Sequence, residues 1–397
     1  MNSSVKREPG HLYLNSNMNK GNNKTVAIVQ SRLCHYSVKF FELLKEDLCK
    51  VKVALKLIHG LPNKNEQKRK DSGHIDWAIQ VRNRSFKLFN GELLWQPYFH
   101  HIKDCDIVVI TQENRLLMNY LLLLGKRLVR QKVAFWGHGK NCQSENPDGL
   151  REKWKRLWLK VPDWWFAYTN FTRDILAKEG YRPEKITVLN NAVDTGEILR
   201  WCGDITESEA ATVKSQEGIK GNLVGIYCGS LYEHKRIGFL IEAAKFIRAR
   251  ISDFELVVIG AGPDVDLVKG VESSHPWIHY VGPKFGRDKV LYMKLGQVFL
   301  MPSNIGLGIL DAFAMGLPLF TTDCKVHGPE IAYLRDSVNG CITPNNLDDY
   351  AGRIVDILND PAKLQKMREN CRAASRKYTI EKMAANFTKG IVSCLSL

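Results

Sequence analysis

The chain is 397 residues long, 44% hydrophobic and 25% charged, with 57 Lys and Arg against 42 Asp and Glu for a formal net charge of +15. Length and apolar content indicate two or three globular domains able to bury cores. A membrane span is excluded: the best apolar run, Leu116–Leu124, is broken by Asn119 and Tyr120 and ended by Lys126, short of the roughly 18 to 20 residues that crossing a bilayer requires.

In chain order, residues 1–23 contain no apolar signal core and read as a flexible polar arm, which points to the cytoplasm. From Lys24 apolar strands alternate with amphipathic helices: VAIVQ, the helix Val38–Leu48, VKVALKLI, DIVVIT, a Leu-rich helix and KVAFWGHG. Such alternation predicts a parallel sheet covered by helices on both faces. The pattern restarts with LVGIYCGS, the helix Gly238–Arg250, FELVVIGAG, the helix Asp264–Glu272, IHYVG, VFLMPS and PLFTT. Two doubly wound α/β domains are therefore expected, at 24–195 and 196–377. The polar stretch TESEAATVKSQEGIKGN lies near their junction, and a C-terminal helix over 378–397 has the first domain as its expected docking place.

Ten cysteines, Cys34 to Cys394, form no CxxC pair, as expected of reduced thiols without a metal ribbon. The tripeptide Asp104–Asp106 precedes its strand, where a ligand set would follow one, and reads as a strand entry. The positive charge suits phosphorylated ligands, an anionic membrane or nucleic acid, but no RNA- or DNA-binding module is recognisable. Lys64–Lys70 is most simply a solvated loop. Arg151–Lys160 runs into Trp164, Trp165 and Phe166 and sets Trp154 and Trp158 four apart among Lys155, Arg156 and further cations. That spacing fits a helix in a lipid headgroup layer, or a core helix with a cationic outer face.

Ligands of open α/β sheets bind at the carboxyl ends of strands, and the motifs with chemical capacity fall there. Gly229–Arg236 (GSLYEHKR) delivers Lys235 and Arg236 just before a helix start, a place for a diphosphate. Gly260 and Gly262 form a second glycine turn, and Val281–Lys284, with Pro283, offers backbone groups to a base. Ser303–Gly308 punctuates a strand-to-helix turn with Gly306 and Gly308 around Leu307, and Asp311 in the first turn of the following helix can take ribose hydroxyls. Glu330, in GPE, opens a helix reading EIAYLRD. In the first half, His138 sits between two glycines in WGHGKN, able to donate to a sugar or phosphate oxygen.

This order of motifs resembles the retaining GT-B glycosyltransferases of family 4, in which two Rossmann-like domains face each other across a cleft. The resemblance rests on Gly229 to Lys235, Gly260 and Gly262, Val281–Gly282, the segment from Pro302 through Asp311 into AFAMGLP, and GPE at 328–330, with NNAVD in place of the family's NGVD. Three departures are visible. The second acid of the family's glutamate pair is Asp311 and the first falls on Ser303; the family's arginine before the lysine is Ser230; and QSRLCHY replaces a glycine-rich loop. The resemblance implies a UDP- or GDP-sugar donor, a glycan or polyprenyl-diphosphate acceptor in surface-polysaccharide synthesis, and catalysis by Lys235, Arg236 and His138 without a metal or other cofactor. It also implies a location at the inner face of the cell membrane. A nucleotide-sugar epimerase or hydrolase on the same fold, or a non-catalytic binder of anionic polymers, are the other readings.

Overall fold

The computed structural model describes residues 24–63, 72–88, 91–126, 130–139 and 149–397. The polar arm 1–23 and the basic block 64–70 lie outside the described residues. Among the described residues nine strands occupy the first half: β1 (Lys24–Gln30), β2 (Val53–Gly60), β3 (Ile79–Val81), β4 (Arg84–Leu88), β5 (Gly91–Trp95), β6 (Ile107–Thr111), β7 (Lys132–Gly137), β8 (Trp164–Ala167) and β9 (Ile186–Val188). Seven form one sheet in the order β3-β2-β1-β6-β7-β8-β9, with every neighbour parallel. The β4–β5 hairpin stands apart as an antiparallel pair. In the second half β10 (Leu223–Cys228), β11 (Phe254–Ile259), β12 (Ile278–Gly282), β13 (Val298–Leu300), β14 (Leu319–Thr322) and β15 (Gly340–Thr343) form an all-parallel sheet in the order β12-β11-β10-β13-β14-β15. Continuous apolar runs such as Phe254–Ile259, buried at every position, suit strands covered on both faces.

Each order reverses once, between β1 and β6 and between β10 and β13. At such switch points the loops leaving the two central strands diverge and open a crevice at the carboxyl edge. The fold therefore directs Ser31–Tyr36 and Gln112–Arg115 to one crevice, and Gly229–Arg236 and Met301–Gly308 to the other.

Several local readings change. Trp164, Trp165 and Phe166 belong to β8 and are 5%, 0% and 0% exposed, so the aromatic end of the basic stretch is central sheet and cannot meet a membrane. The junction around 195–222 holds two helices, Gly196–Asp204 and Glu207–Gln216. The second starts with a capping box in which Thr206 Oγ1 accepts from the Glu209 amide at 3.2 Å and Glu209 Oε2 accepts from the Thr206 amide at 2.8 Å. The expected helix after GPE is a short 3₁₀ turn, Pro329–Tyr333. The C-terminal helix Ile380–Leu395 packs on His35–Lys50 of the first domain. There Phe387 stacks on Phe166 at 4.2 Å and meets Trp136 edge-on at 5.2 Å, while Lys132 Nζ donates to the Cys394 carbonyl at 2.8 Å.

Gly260 and Gly262 carry φ of 152° and 158°. A Cβ on Gly260 would lie 1.8 Å from the Gly229 carbonyl oxygen, and one on Gly262 would lie 2.0 Å from that of Leu231. Both glycines let the turn after β11 press directly on the loop after β10, which is tied there by Gly229 N–H to Ile259 O and Leu231 N–H to Ala261 O, each 2.9 Å. Gly260→Ala must push that loop away, and should lower stability by about 2 kcal/mol or more; chemical denaturation of the variant against the parent checks this.

Candidate active site

Lys235 closes a 3₁₀ turn, Glu233–Lys235, and Arg236 caps the helix Ile237–Arg250 in the left-handed region at φ 55°. The Lys235 ammonium points across the β10–β13 crevice, donating to the Asn304 carbonyl and lying 3.6 Å from Met301 Sδ. Among the described residues no carboxylate pairs with it. Burial with only neutral partners pulls its pKa down to about 8, because nothing compensates the desolvated charge. Arg236 turns the other way: its guanidinium lies 4.1 Å over the Phe239 ring and donates to Asn345 Oδ1, with Thr322 Oγ1 at 3.5 Å.

The loop opposite is held from beneath. Ser303, Asn304 and Ile305 are buried, Asn304 Nδ2 donates to Tyr232 Oη at 2.7 Å, and the Ile305 amide donates to His327 Nδ1 at 3.2 Å. Beyond them Gly306 and Gly308 face open space, in which an added Cβ would touch nothing within 4 Å. Asp311 stands in the first turn of the helix Gly308–Ala314 and accepts from Lys289 Nζ at 2.9 Å.

Ser303, which falls where the family has its first acid, has Cys324 Sγ 3.3 Å from its hydroxyl; His327 Nε2 is also 3.3 Å from that sulfur and 2.8 Å from the Thr322 carbonyl. Burial alone would raise the Cys324 thiol, but its hydrogen bonds with His327 and Ser303 outweigh it and bring its pKa down to about 6.

The remaining expected residues are more dispersed. Gly229 and Ser230 border Lys235 in sequence; Ser230 is exposed and its carbonyl accepts from Tyr227 Oη at 2.8 Å. Val281 is half-buried and Pro283 exposed, while the Lys284 ammonium lies 4.5 Å over the Tyr292 ring.

On the other domain His138 follows β7, with its ring 4.4 Å from that of Tyr168 at the end of β8. The imidazole reaches solvent yet is surrounded by protein, and burial, reinforced by the charge of Lys155, holds its pKa below the ordinary value. It is neutral at pH 7 and able to donate from one nitrogen. At the β1–β6 switch point Glu113 accepts from Arg115 Nε at 2.8 Å and from Ser31 Oγ at 3.2 Å. Burial, reinforced by the carboxylates of Glu330 and Glu113, raises the pKa of the Tyr168 phenol.

Glu330 is 4% exposed and accepts from Asn191 Nδ2 of the first domain at 2.7 Å. Burial raises its pKa. It joins the domains through one of its oxygens, a contact that its place in GPE did not disclose.

Lys289 and Tyr168 were not singled out in the sequence. No motif marks Lys289, and Tyr168 follows a strand hidden inside an aromatic-rich stretch. Asn191 stood in the NNAVD motif without a partner to explain it. Of the four residues expected on the acceptor and membrane side, Trp154 is 47% exposed, but Trp158 turns inward against Tyr120, ring centroids 5.1 Å apart. Arg156 lies 3.7 Å from Glu179, and Lys155 borders the same recess as Glu113 and Trp158.

Two facing parallel sheets, with a cationic crevice on one and a histidine on the other, define the GT-B class of fold. Solved structures agree: Anabaena HepE in complex with UDP aligns with a TM-score of 0.66 at 14% identity, covering 93% of this chain and 100% of that one. The pneumococcal O-GlcNAc transferase GtfA, solved with UDP and GlcNAc, gives 0.66 at 12%, covering 94% and 100%. Residues 222–360, most of the second domain, match the family model described as "Glycosyl transferases group 1". The α-D-kanosaminyltransferase of Streptomyces kanamyceticus is 25% identical over 183 residues, which span 44% of this chain and 47% of that protein.

The lowered pKa of Lys235 makes stability depend on pH. Its folded value lies below the unfolded 10.5, so the charged form opposes folding at pH below about 8, and the penalty fades as pH rises from there. Lys235→Met should therefore stabilise the protein at pH 7 by on the order of 1 kcal/mol, read as a higher melting temperature. The gain over the parent should shrink between pH 8 and pH 10; scanning calorimetry at both ends tests it.

Proposed function

We propose that this chain is a retaining glycosyltransferase, moving a sugar from a UDP- or GDP-linked donor to a glycan or polyprenyl-diphosphate-linked acceptor in surface-polysaccharide synthesis. The observation that carries the reading is the Lys235 ammonium, desolvated, without a counter-ion among the described residues, and placed at the switch point of the domain that matches the glycosyltransferase group 1 model. Such a cation is incomplete until an anion arrives, and a leaving nucleoside diphosphate is an anion that gains charge as the glycosidic bond breaks. Arg236, turned away onto Phe239 and Asn345, contributes its charge from the neighbouring position and would have to reorient to touch the phosphates. The UDP named with both HepE and GtfA supports this donor class.

In this mechanism Asp311 binds the ribose, Val281–Lys284 meet the base edge, and the main-chain amides around Gly306–Gly308 assist the diphosphate. Neutral His138 donates to a hydroxyl of the donor sugar or to its phosphate. The bond from the anomeric carbon to the diphosphate oxygen breaks, the acceptor oxygen bonds to the same face, and the acceptor proton passes to the departing phosphate. The fixed cations supply the charge stabilisation, so the proposal includes no metal. Glu113, held by Ser31 and Arg115, faces the acceptor half of the cleft.

A panel of nucleotides and sugar nucleotides in a thermal-shift assay tests the donor site. A ligand at one hundred times its dissociation constant adds about 2.7 kcal/mol and raises the melting temperature visibly. UDP or GDP should stabilise the parent but neither Lys235→Ala nor Asp311→Ala. Because the diphosphate favours the protonated lysine, its affinity should fall as pH rises above about 8. No response to any nucleotide would favour the anionic-polymer binder instead.

Peripheral membrane attachment belongs to the same proposal. Leu121 and Leu124 are 45% and 66% exposed on the helix Leu117–Gly125, and Trp154 and Leu157 are 47% and 69% exposed on the helix Leu150–Trp158. Tyr120 bridges the two helices, its ring 5.7 Å from Trp154. Lys153 and Lys160 are exposed as well, and exposed apolar and cationic side chains together suit an anionic bilayer surface. Replacing Leu124 and Leu157 by Ser should reduce co-sedimentation with phosphatidylglycerol-containing liposomes by about fivefold or more while the fold is kept. Unchanged sedimentation would make these side chains plain solvent-facing ones.

A further inference from the structure

Resting on the donor-site reading above, we infer that Lys289 sets the ribose selectivity of the site, so that 2′-deoxyribonucleoside diphosphates bind nearly as well as their ribonucleoside counterparts. Lys289 lies in the helix Gly286–Lys294 and reaches Asp311 Oδ2 at 2.9 Å. The two side chains are only 23% and 19% exposed. Burial opposes the lysine's charge, but the Asp311 carboxylate outweighs it and keeps its pKa raised. The ion pair thus stands complete before any ligand arrives.

Selectivity for a hydroxyl arises when its absence leaves a buried group of the protein without a partner. A free carboxylate gripping both ribose hydroxyls would impose that penalty on a 2′-deoxy ligand. Here the carboxylate and the ammonium satisfy each other, and the ribose hydroxyls add bonds to groups already paired. Losing one hydroxyl therefore strands neither partner. Freeing Oδ2 for a two-oxygen grip would instead leave a shielded ammonium unpaired, which costs more than a ribose hydroxyl returns.

Calorimetric titration of the full chain with UDP, dUDP, GDP and dGDP decides the matter. In the parent protein the deoxy form of the bound nucleotide should have a dissociation constant within about threefold of the ribo form. Lys289→Met frees both Asp311 oxygens and should widen the gap to about tenfold or more, whereas Lys289→Arg keeps the pair and the narrow gap. A tenfold preference for the ribo form in the parent overturns the inference, as does an unchanged ratio in a folded Lys289→Met. Should Lys289→Met fail to fold, the parent ratio and Lys289→Arg still decide. If none of the four nucleotides binds, the donor site itself is refuted and the inference falls with it, an outcome distinct from a site that binds UDP or GDP and rejects the deoxy form.

Discussion

The cleft depends on two parallel sheets being held with their carboxyl edges opposed, and a small set of buried contacts between the domains holds them there. Asn191 donates to Glu330, Thr169 Oγ1 donates to the Pro329 carbonyl at 3.0 Å, and Tyr333 Oη donates to the Asn191 carbonyl at 2.8 Å. Each of these groups is shielded from water, so losing a partner would cost a full desolvation penalty, which makes the hinge region specific in geometry. The C-terminal helix adds apolar area on the far side, where Phe387 fills the space between Phe40, Trp136 and Phe166. Together they let loops from distant parts of the chain approach one another without touching in sequence.

Within the cleft two lysines solve opposite problems. Lys289 has a carboxylate beside it and remains charged in spite of burial. Lys235, equally drawn into protein, has a carbonyl and a thioether, and its charge is a liability until a ligand supplies the missing anion. In the proposed function the contrast gives one lysine the task of holding the site together and the other that of receiving the phosphates. It also places the stability cost where function needs it, since a pre-aimed and poorly solvated cation acts on a developing negative charge without reorganising at the moment of reaction.

The first domain supplies less charge and more hydrogen-bonding surface. Neutral His138, Tyr168 and the Ser31–Glu113–Arg115 group gather where β1, β6, β7 and β8 end. Under the proposed function such a surface suits a polyhydroxylated acceptor, and the exposed Leu121, Leu124, Trp154 and Leu157 belong to the same domain.

Much of this architecture was legible in the chain alone. Continuous apolar runs such as FELVVI, spaced by amphipathic helices, specify parallel strands because only a sheet covered on both faces buries every side chain of such a run. The glycine turns, Lys235 and Asp311 follow from strand-end position, which alternation determines once the strands are recognised. β8 escaped because its four residues, WWFA, extend an aromatic and basic stretch whose helical spacing dominates the local pattern. Tertiary structure alone decided the pairings between residues far apart: Lys289 with Asp311, Asn191 with Glu330, Lys235 with Asn304. The same holds for Trp154 and Trp158, which share one helical spacing but divide between solvent and core. Local sequence determines which residues stand at strand ends and which faces are apolar, because those depend on neighbours within a turn or two. Which charge is neutralised and which is left waiting depends on the packing of separate helices and loops around the switch point, and that is settled only when the two sheets are folded and brought edge to edge.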